Sequence, residues 1–254
     1  MKEQAIEWFA ESREKGRLSG FKISFEDEGA TLEDLIELRL LSASSALPLF
    51  VKVGGCEAKT DINNCKDYLV DGIVGPMIES NFSLEKFIRS SQEVGFSGKK
   101  FINIETKTSI QNLNKIINSP SSTSLDGLTI GRSDLAASYG LTKKSVDSPK
   151  MYKVIEQALI AIKGKGFATT MGGNITSHSA KNVKSLYEKG LLDKIETRNI
   201  IIKLTPDTVN DLTGSINEAL FFETFILELR KSRTGKLNTK NIKRLEELKR
   251  RLEV

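Results

Sequence analysis

With 254 residues, 39% hydrophobic and 28% charged, the chain has the polarity of a soluble globular protein and enough length for a full core. No apolar run approaches the ~20 residues that cross a bilayer, and the amphipathic stretch 1–17 does not have the form of a secretory signal. The net charge is only +5, much of it in the last thirty residues, which argues against a nucleic-acid partner; two cysteines, Cys56 and Cys65, are too few for a disulfide scaffold, so a cytoplasmic location is the default expectation.

Strands alternate with helices along the body of the chain, the pattern of a parallel sheet or barrel. The strand candidates are Phe21–Phe25, Leu49–Val53, Gly72–Pro76, Lys100–Ile104, Gly127–Gly131, Phe167–Met171 and Arg198–Lys203. Helical patterns lie between them at Thr31–Ala43, Phe82–Val94, Ser109–Ile117, Met151–Lys163 and Ala180–Lys189, with Thr31 and Ser83 as capping residues and Ser119–Ser124 as a loop. The size suits one (β/α)8 TIM barrel of roughly 250 residues. Seven strands are visible where eight are needed, so one is short and cryptic or its place is taken by the N-terminal helix. Gly235–Asn238 reads as a linker, and Thr239–Leu252 as a charged helix with Ile242, Leu245, Leu248 and Leu252 on one face. The expected division is a barrel domain over 1–230 and a basic helical extension over 231–254, packed on its own barrel or docked on a neighbouring subunit.

In such a barrel the C-terminal strand ends share one mouth, where active sites are built. Glu105 follows the fourth strand candidate and Asp134 the fifth, so the two carboxylates converge there, as a hard divalent cation requires. Asn103-Ile104-Glu105-Thr106 together with Leu125-Asp126-Gly127-Leu128-Thr129-Ile130-Gly131-Arg132-Ser133-Asp134-Leu135 resembles the HpcH/HpaI aldolase and citrate lyase family, and the resemblance extends along most of residues 20–205. It implies a TIM barrel that binds pyruvate or oxaloacetate through a divalent metal held by Glu105 and Asp134, magnesium first, with manganese or cobalt as alternatives. It also implies a homo-oligomer, since relatives commonly exchange a C-terminal helix.

The family pattern assigns further roles. Lys52 aligns with the arginine that contacts the pyruvate oxygens in relatives; a Schiff-base role is the lesser alternative. Gly131 permits close backbone approach beside the metal, and Gly173, in Gly172-Gly173-Asn174 before a helix, belongs to a candidate anion cradle. Arg132 stands where many relatives carry proline, and either clamps a substrate carboxylate or phosphate or forms a structural ion pair. Glu26-Asp27-Glu28 occupies the place where relatives carry an acidic residue and a histidine. The single histidine, His178, lies elsewhere, as a surface or capping residue. A carboxyl of raised pKa is then the base, with Glu28 or Glu57 as candidates. Cys56 reads as a buried thiol, and Arg198 belongs either to the bottom of the barrel or to the site.

The function that follows is a metal-dependent carbon–carbon lyase or aldolase. It would join or release a pyruvate-, oxaloacetate- or phosphoenolpyruvate-type enolate and an anionic or sugar-like aldehyde. The alternatives are another reaction of the phosphoenolpyruvate/pyruvate superfamily, or a non-catalytic subunit or sensor that binds a small acid.

Overall fold

The computed structural model describes residues 2–235 and 237–252. In chain order its elements are α1 (Lys2–Glu14), β1 (Gly20–Ser24), α2 (Phe25–Glu28), α3 (Leu32–Ser44), β2 (Leu49–Lys52), α4 (Lys59–Asp67), β3 (Gly72–Gly75), α5 (Asn81–Val94), β4 (Lys99–Ile104), α6 (Lys107–Ile117), β5 (Gly127–Gly131), α7 (Arg132–Ser138), α8 (Pro149–Lys163), β6 (Ala168–Gly172), α9 (Ala180–Glu188), β7 (Lys194–Glu196), β8 (Ile200–Lys203), α10 (Pro206–Asn210), α11 (Leu212–Thr234) and α12 (Thr239–Leu252). Several helices start on reciprocal caps. In α3, for example, Thr31 Oγ1 accepts from the Asp34 N–H (3.4 Å) and the Asp34 carboxylate accepts from the Thr31 N–H (2.8 Å). No helix among the described residues is long and apolar enough to cross a membrane.

The eight strands close into a barrel in sequence order, and the cryptic strand is β7, three residues long. Strands β1 to β7 run parallel, but β8 is antiparallel to both β7 and β1. The reversal is a tight hairpin: the Thr197 N–H donates to the Ile200 carbonyl (2.9 Å), and the Ile200 N–H to Thr197 Oγ1 (3.2 Å). The expected strand Arg198–Lys203 therefore starts at the mouth and runs downward. No crossover helix precedes it, because an antiparallel neighbour needs only a turn.

Below the mouth the barrel is plugged by Phe50, Val74, Phe101 and Ile201, with the Phe50 and Phe101 rings edge-on at 5.6 Å. From the bottom α11 climbs back along the outside. Its lower part packs against α1, where Phe9 and Phe222 stack with ring centres 4.4 Å apart. Its upper end reaches the β1 loop, where Arg230 and Arg233 both pair with the buried Asp34. The boundary expected between 230 and 231 falls inside α11, so it does not mark a break in the structure.

Helix α12 lies across the mouth of its own barrel. At one end Lys240 donates to the Asp27 carboxylate (2.5 Å), and at the other Arg251 donates to Asn174 Oδ1 (2.7 Å). Its buried seam is Asn241, Leu245 and Leu248, whereas Ile242 is exposed, contrary to the expected stripe. Of the linker Gly235–Asn238, Lys236 lies outside the described residues, as do Met1, Glu253 and Val254.

Candidate active site at the barrel mouth

A cavity of about 330 Å³ opens at the C-terminal ends of the parallel strands, beneath α12. Glu28, Lys52, Glu105, Gly131, Asp134 and Gly173 all line it. Adjacent strands bring the carboxylates together: Ile104 pairs with Ile130, which places Glu105 at the level of Gly131, and Asp134 follows in the first turn of α7. A Cβ at Gly131 would lie 2.6 Å from Glu105 Oε2, and one at Gly172 would lie 2.8 Å from Glu196 Oε1. These paired glycines keep the cavity floor open between the two acids.

Glu105 is 2% exposed and rigidly held. The Met77 N–H donates to Oε1 (3.0 Å) and the Asn103 side-chain amide to Oε2 (2.9 Å). Met77 takes a left-handed backbone (φ 51°), a local strain that accompanies this contact. Burial pushes the Glu105 carboxyl up, while the Lys52 charge opposes the shift. Burial alone would lower the Lys52 ammonium, but Glu105, Asp27, Asp134 and Glu196 outweigh it and hold it above its ordinary value. Lys52 lies 3.7 Å from Asp27, its nearest acid.

Among the described residues no three His, Cys, Asp or Glu side chains gather into a metal-binding group, so Glu105 and Asp134 form a pair and not a cage. That pair suits magnesium, which keeps several waters and is commonly held by one or two carboxylates. A further oxygen points the same way: Asn103 Oδ1 is buried without a hydrogen-bond partner, on the side chain that supports Glu105. The donor set is all oxygen and accommodates a hard cation.

Across the cavity, Glu28 is 6% exposed, and its Oε2 accepts from the Asn199 side-chain amide (3.3 Å). Burial pushes its carboxyl up to about 7, against the pull of Arg198 and Lys22. Asp27 is held below its usual range because Lys240 and Lys52 outweigh the opposing effect of burial. Lys22, in mid-strand on β1, forms a buried ion pair with Glu196 in the barrel interior. Lys22 escapes a reading based on strand ends, although a lysine inside an apolar strand is itself a signal, and Glu196 ends the strand too short to be seen in the sequence. Arg198 lines the cavity because β8 is reversed, and Arg244 and Glu247 reach it from α12.

Three expectations are corrected. Arg132 is 1% exposed and does not line the cavity. Its guanidinium bonds Asp147 (2.6 Å), Ser179 Oγ (3.1 Å) and the Gly173 carbonyl (3.1 Å), so it braces α7 against the glycine loop and is not available to clamp a substrate. Of the two roles expected for Arg132, the structural ion pair is the one formed, with Asp147. Glu57 is exposed outside the cavity, and its hydrogen bond to Lys86 (2.9 Å) lowers its carboxyl, which removes it as a base. Cys56 is half-buried, whereas Cys65 is the buried thiol. Gly173 has φ 83° and a Cβ there would lie 2.6 Å from the Ser133 nitrogen, so close packing on α7 requires glycine. His178 is exposed and lines a separate surface cavity.

The model of the HpcH/HpaI aldolase/citrate lyase family matches residues 34–187. Among solved structures, a HpcH/HpaI aldolase/citrate lyase family protein from Burkholderia cenocepacia superposes with a TM-score of 0.56 at 19% identity, covering 69% of this chain and 77% of that one. A citrate lyase from Burkholderia xenovorans gives 0.57 at 11% identity, over 100% of this chain and 88% of that one. The CitE protein of Mycobacterium tuberculosis, in complex with magnesium and pyruvate, gives 0.51 at 12% identity, over 76% and 79%. At these identities the structural likenesses speak for the fold. No curated protein matches the chain in sequence.

Proposed function

The chain belongs to the HpcH/HpaI aldolase/citrate lyase family, whose model spans more than half of it, and on that premise we propose a divalent-metal-dependent carbon–carbon lyase or aldolase. Its nucleophilic reactant is a pyruvate-, oxaloacetate- or phosphoenolpyruvate-type acid, and its partner an aldehyde. The observation that carries the reading is the cavity itself: Glu105 and Asp134 line one wall, Lys52 stands between, and a carboxyl titrating near neutrality, Glu28, lines the other.

Glu105 and Asp134 would hold the cation, which when bound supplies positive charge beside the keto and carboxylate oxygens of the acid. Lys52 adds a second positive charge that attracts the acid's carboxylate and orients it toward Glu105. Glu28, ionised, takes a proton from the methyl carbon of pyruvate. Protonated, it returns that proton to the aldehyde oxygen as the carbon–carbon bond forms; cleavage runs the same transfers in reverse. A pKa near the working pH is what such a two-way proton carrier needs. Helix α12 covers the cavity and limits water during this exchange.

Solvent-deuterium exchange into the methyl group of pyruvate, followed by proton NMR with magnesium present, tests the reading without knowledge of the aldehyde. The wild-type protein should exchange and Glu28→Gln should not. Tight binding of magnesium and pyruvate without exchange in the wild type would instead mark a small-acid-binding subunit or sensor.

A further inference from the structure

The cavity holds more room and more cationic donors than a three-carbon oxo acid uses. In a closed ring of eight strands β8 and β1 stand opposite β4 and β5, so the wall carrying Ser24 and Arg198 faces the wall carrying Glu105 and Asp134. Both facing residues have unused hydrogen-bonding capacity. Ser24 sits at the N-cap position of α2, yet its hydroxyl caps nothing. It is 1% exposed, lines the cavity, and its Oγ has no hydrogen-bond partner among the described residues. A buried hydroxyl left in this way is costly unless a ligand completes it.

Arg198 stands farther from its nearest carboxylate than any other cation lining the cavity. Its Nη1 donates to Asn241 Oδ1 (2.9 Å), and its nearest carboxylate is Glu223 at 4.0 Å. Both Glu223 oxygens are already taken by Arg244 (2.6 and 2.9 Å). The other lining cations lie closer to an acid; Lys52, 3.7 Å from Asp27, comes next. Asp27 and Glu28 feel the Arg198 charge without touching its guanidinium, and the Asp27 carboxylate is already bonded by Lys240 (2.5 Å). The antiparallel pairing of β1 with β8 places the end of β1, and so Ser24, beside the hairpin that carries Arg198.

We propose that Arg198 and Ser24 form a second anion subsite that takes the carboxylate or phosphate group of the aldehyde. The electrophilic reactant is then an oxyanion-bearing aldehyde and not a neutral sugar-like one. The assignment of this group to the aldehyde rests on the reaction proposed above. Guanidinium and hydroxyl together suit an oxyanion, the first as a forked donor and the second as a single one.

Calorimetric titration of the full chain, saturated with magnesium and pyruvate, tests this with inorganic phosphate and with succinate as probes. One of the two should bind alongside pyruvate, and the tighter one tells phosphate from carboxylate. Arg198→Gln should weaken it by about ten-fold or more and Ser24→Ala by about three-fold or more, with pyruvate affinity changed less than about two-fold. Should Arg198→Gln fail to fold, Arg198→Lys and Ser24→Ala carry the comparison. Absence of binding by either probe, equal affinities in wild type and variants, or displacement of pyruvate by the probe would overturn the subsite. If pyruvate does not bind at all, the proposed reaction falls. The same titrations without pyruvate still decide the subsite, through the differences at Arg198 and Ser24.

Discussion

The two walls of the cavity are built by different rules. On the β4–β5 side, parallel strands end side by side and deliver Glu105 by register and Asp134 in the turn of α7 that follows, with Gly131 leaving room beside Glu105. On the β7–β8–β1 side the order is broken by a hairpin, and the wall is completed from far along the chain. Asn199 supports Glu28 there, and α12 closes over Asp27 and Arg198. The first wall buries Glu105, but hydrogen bonds from Met77 and Asn103 and the charge of Lys52 favour its ionised form. The second buries a carboxyl, and burial is what moves Glu28 to about 7. On the function proposed above, metal binding and proton transfer fall to separate parts of the fold, and each is open to a separate perturbation.

The largest effect is expected where the second wall does chemistry. Glu28→Gln should reduce pyruvate exchange by roughly 10²–10⁴-fold, the range of a removed general base, while the magnesium-induced thermal shift stays. The wild-type exchange rate should rise with pH through about 7, as Glu28 ionises, and then level off. The same shift bears on stability. Its ordinary value is 4.5, so between about 4.5 and 7 the folded state keeps a proton that the unfolded state has released. Stability should fall as pH rises across that window and change no further above it, and Glu28→Gln should flatten this part of the curve. An unchanged curve in the variant would show that Glu28 is not the group being titrated.

Next in size comes the anchor of the second wall. Arg244→Met leaves Glu223 fully buried with Arg198 no closer than 4.0 Å, and breaking a buried pair in this way costs about 3–5 kcal/mol. Chemical denaturation measures it, and the double variant with Glu223→Gln should recover much of the loss. A cost under about 1 kcal/mol would mean that α12 closes the mouth without this pair. The first wall should respond in a different currency. Glu105→Gln and Asp134→Asn should each remove the magnesium-induced stabilisation, about 2.7 kcal/mol at a hundred times Kd, and leave the fold intact, because both side chains line the cavity and not the core. Metal stabilisation that persists in the double variant would move the cation site elsewhere.

The same contrast explains what the sequence reveals. Glu105 and Asp134 are legible because a parallel strand end is a local feature, an apolar run followed by a charged residue. The cryptic strand is not: Lys194–Glu196 is three residues long, and the turn Thr197-Arg198-Asn199 contains neither glycine nor proline to mark it. Without that turn the direction of β8 is invisible, and so is the end of the barrel to which Arg198 belongs. Arg132 reads equally as a clamp or a brace until Asp147 and Ser179 are brought against it by the loop and helix that follow. In α12 the helix itself is legible over Thr239–Leu252. Its buried face is legible at Leu245 and Leu248 but not at its start, where the seam takes Asn241, a polar residue that bonds Arg198 and the Glu28 carbonyl, in place of Ile242.

Lys52 stands between the two walls, and the smallest expected effect concerns it. It ends β2 and is drawn to acids from both sides, Glu105 and Asp134 on one and Asp27 and Glu196 on the other. If its work is to bind the carboxylate of the oxo acid, Lys52→Met should weaken pyruvate by about 1.5–3 kcal/mol, roughly ten-fold or more, as the loss of a charge-assisted hydrogen bond does. Lys52→Arg should restore most of that affinity, since the guanidinium keeps the charge and adds a fork suited to carboxylate. If instead its work is to neutralise the surrounding acids, Lys52→Met should leave pyruvate affinity at saturating magnesium nearly unchanged and lower the stability of the metal-free protein. Titrating pyruvate against the three proteins, with thermal midpoints taken with and without magnesium, separates the two. A loss of affinity in Lys52→Met that Lys52→Arg repairs ties the lysine to the substrate, and a loss of stability alone ties it to the walls.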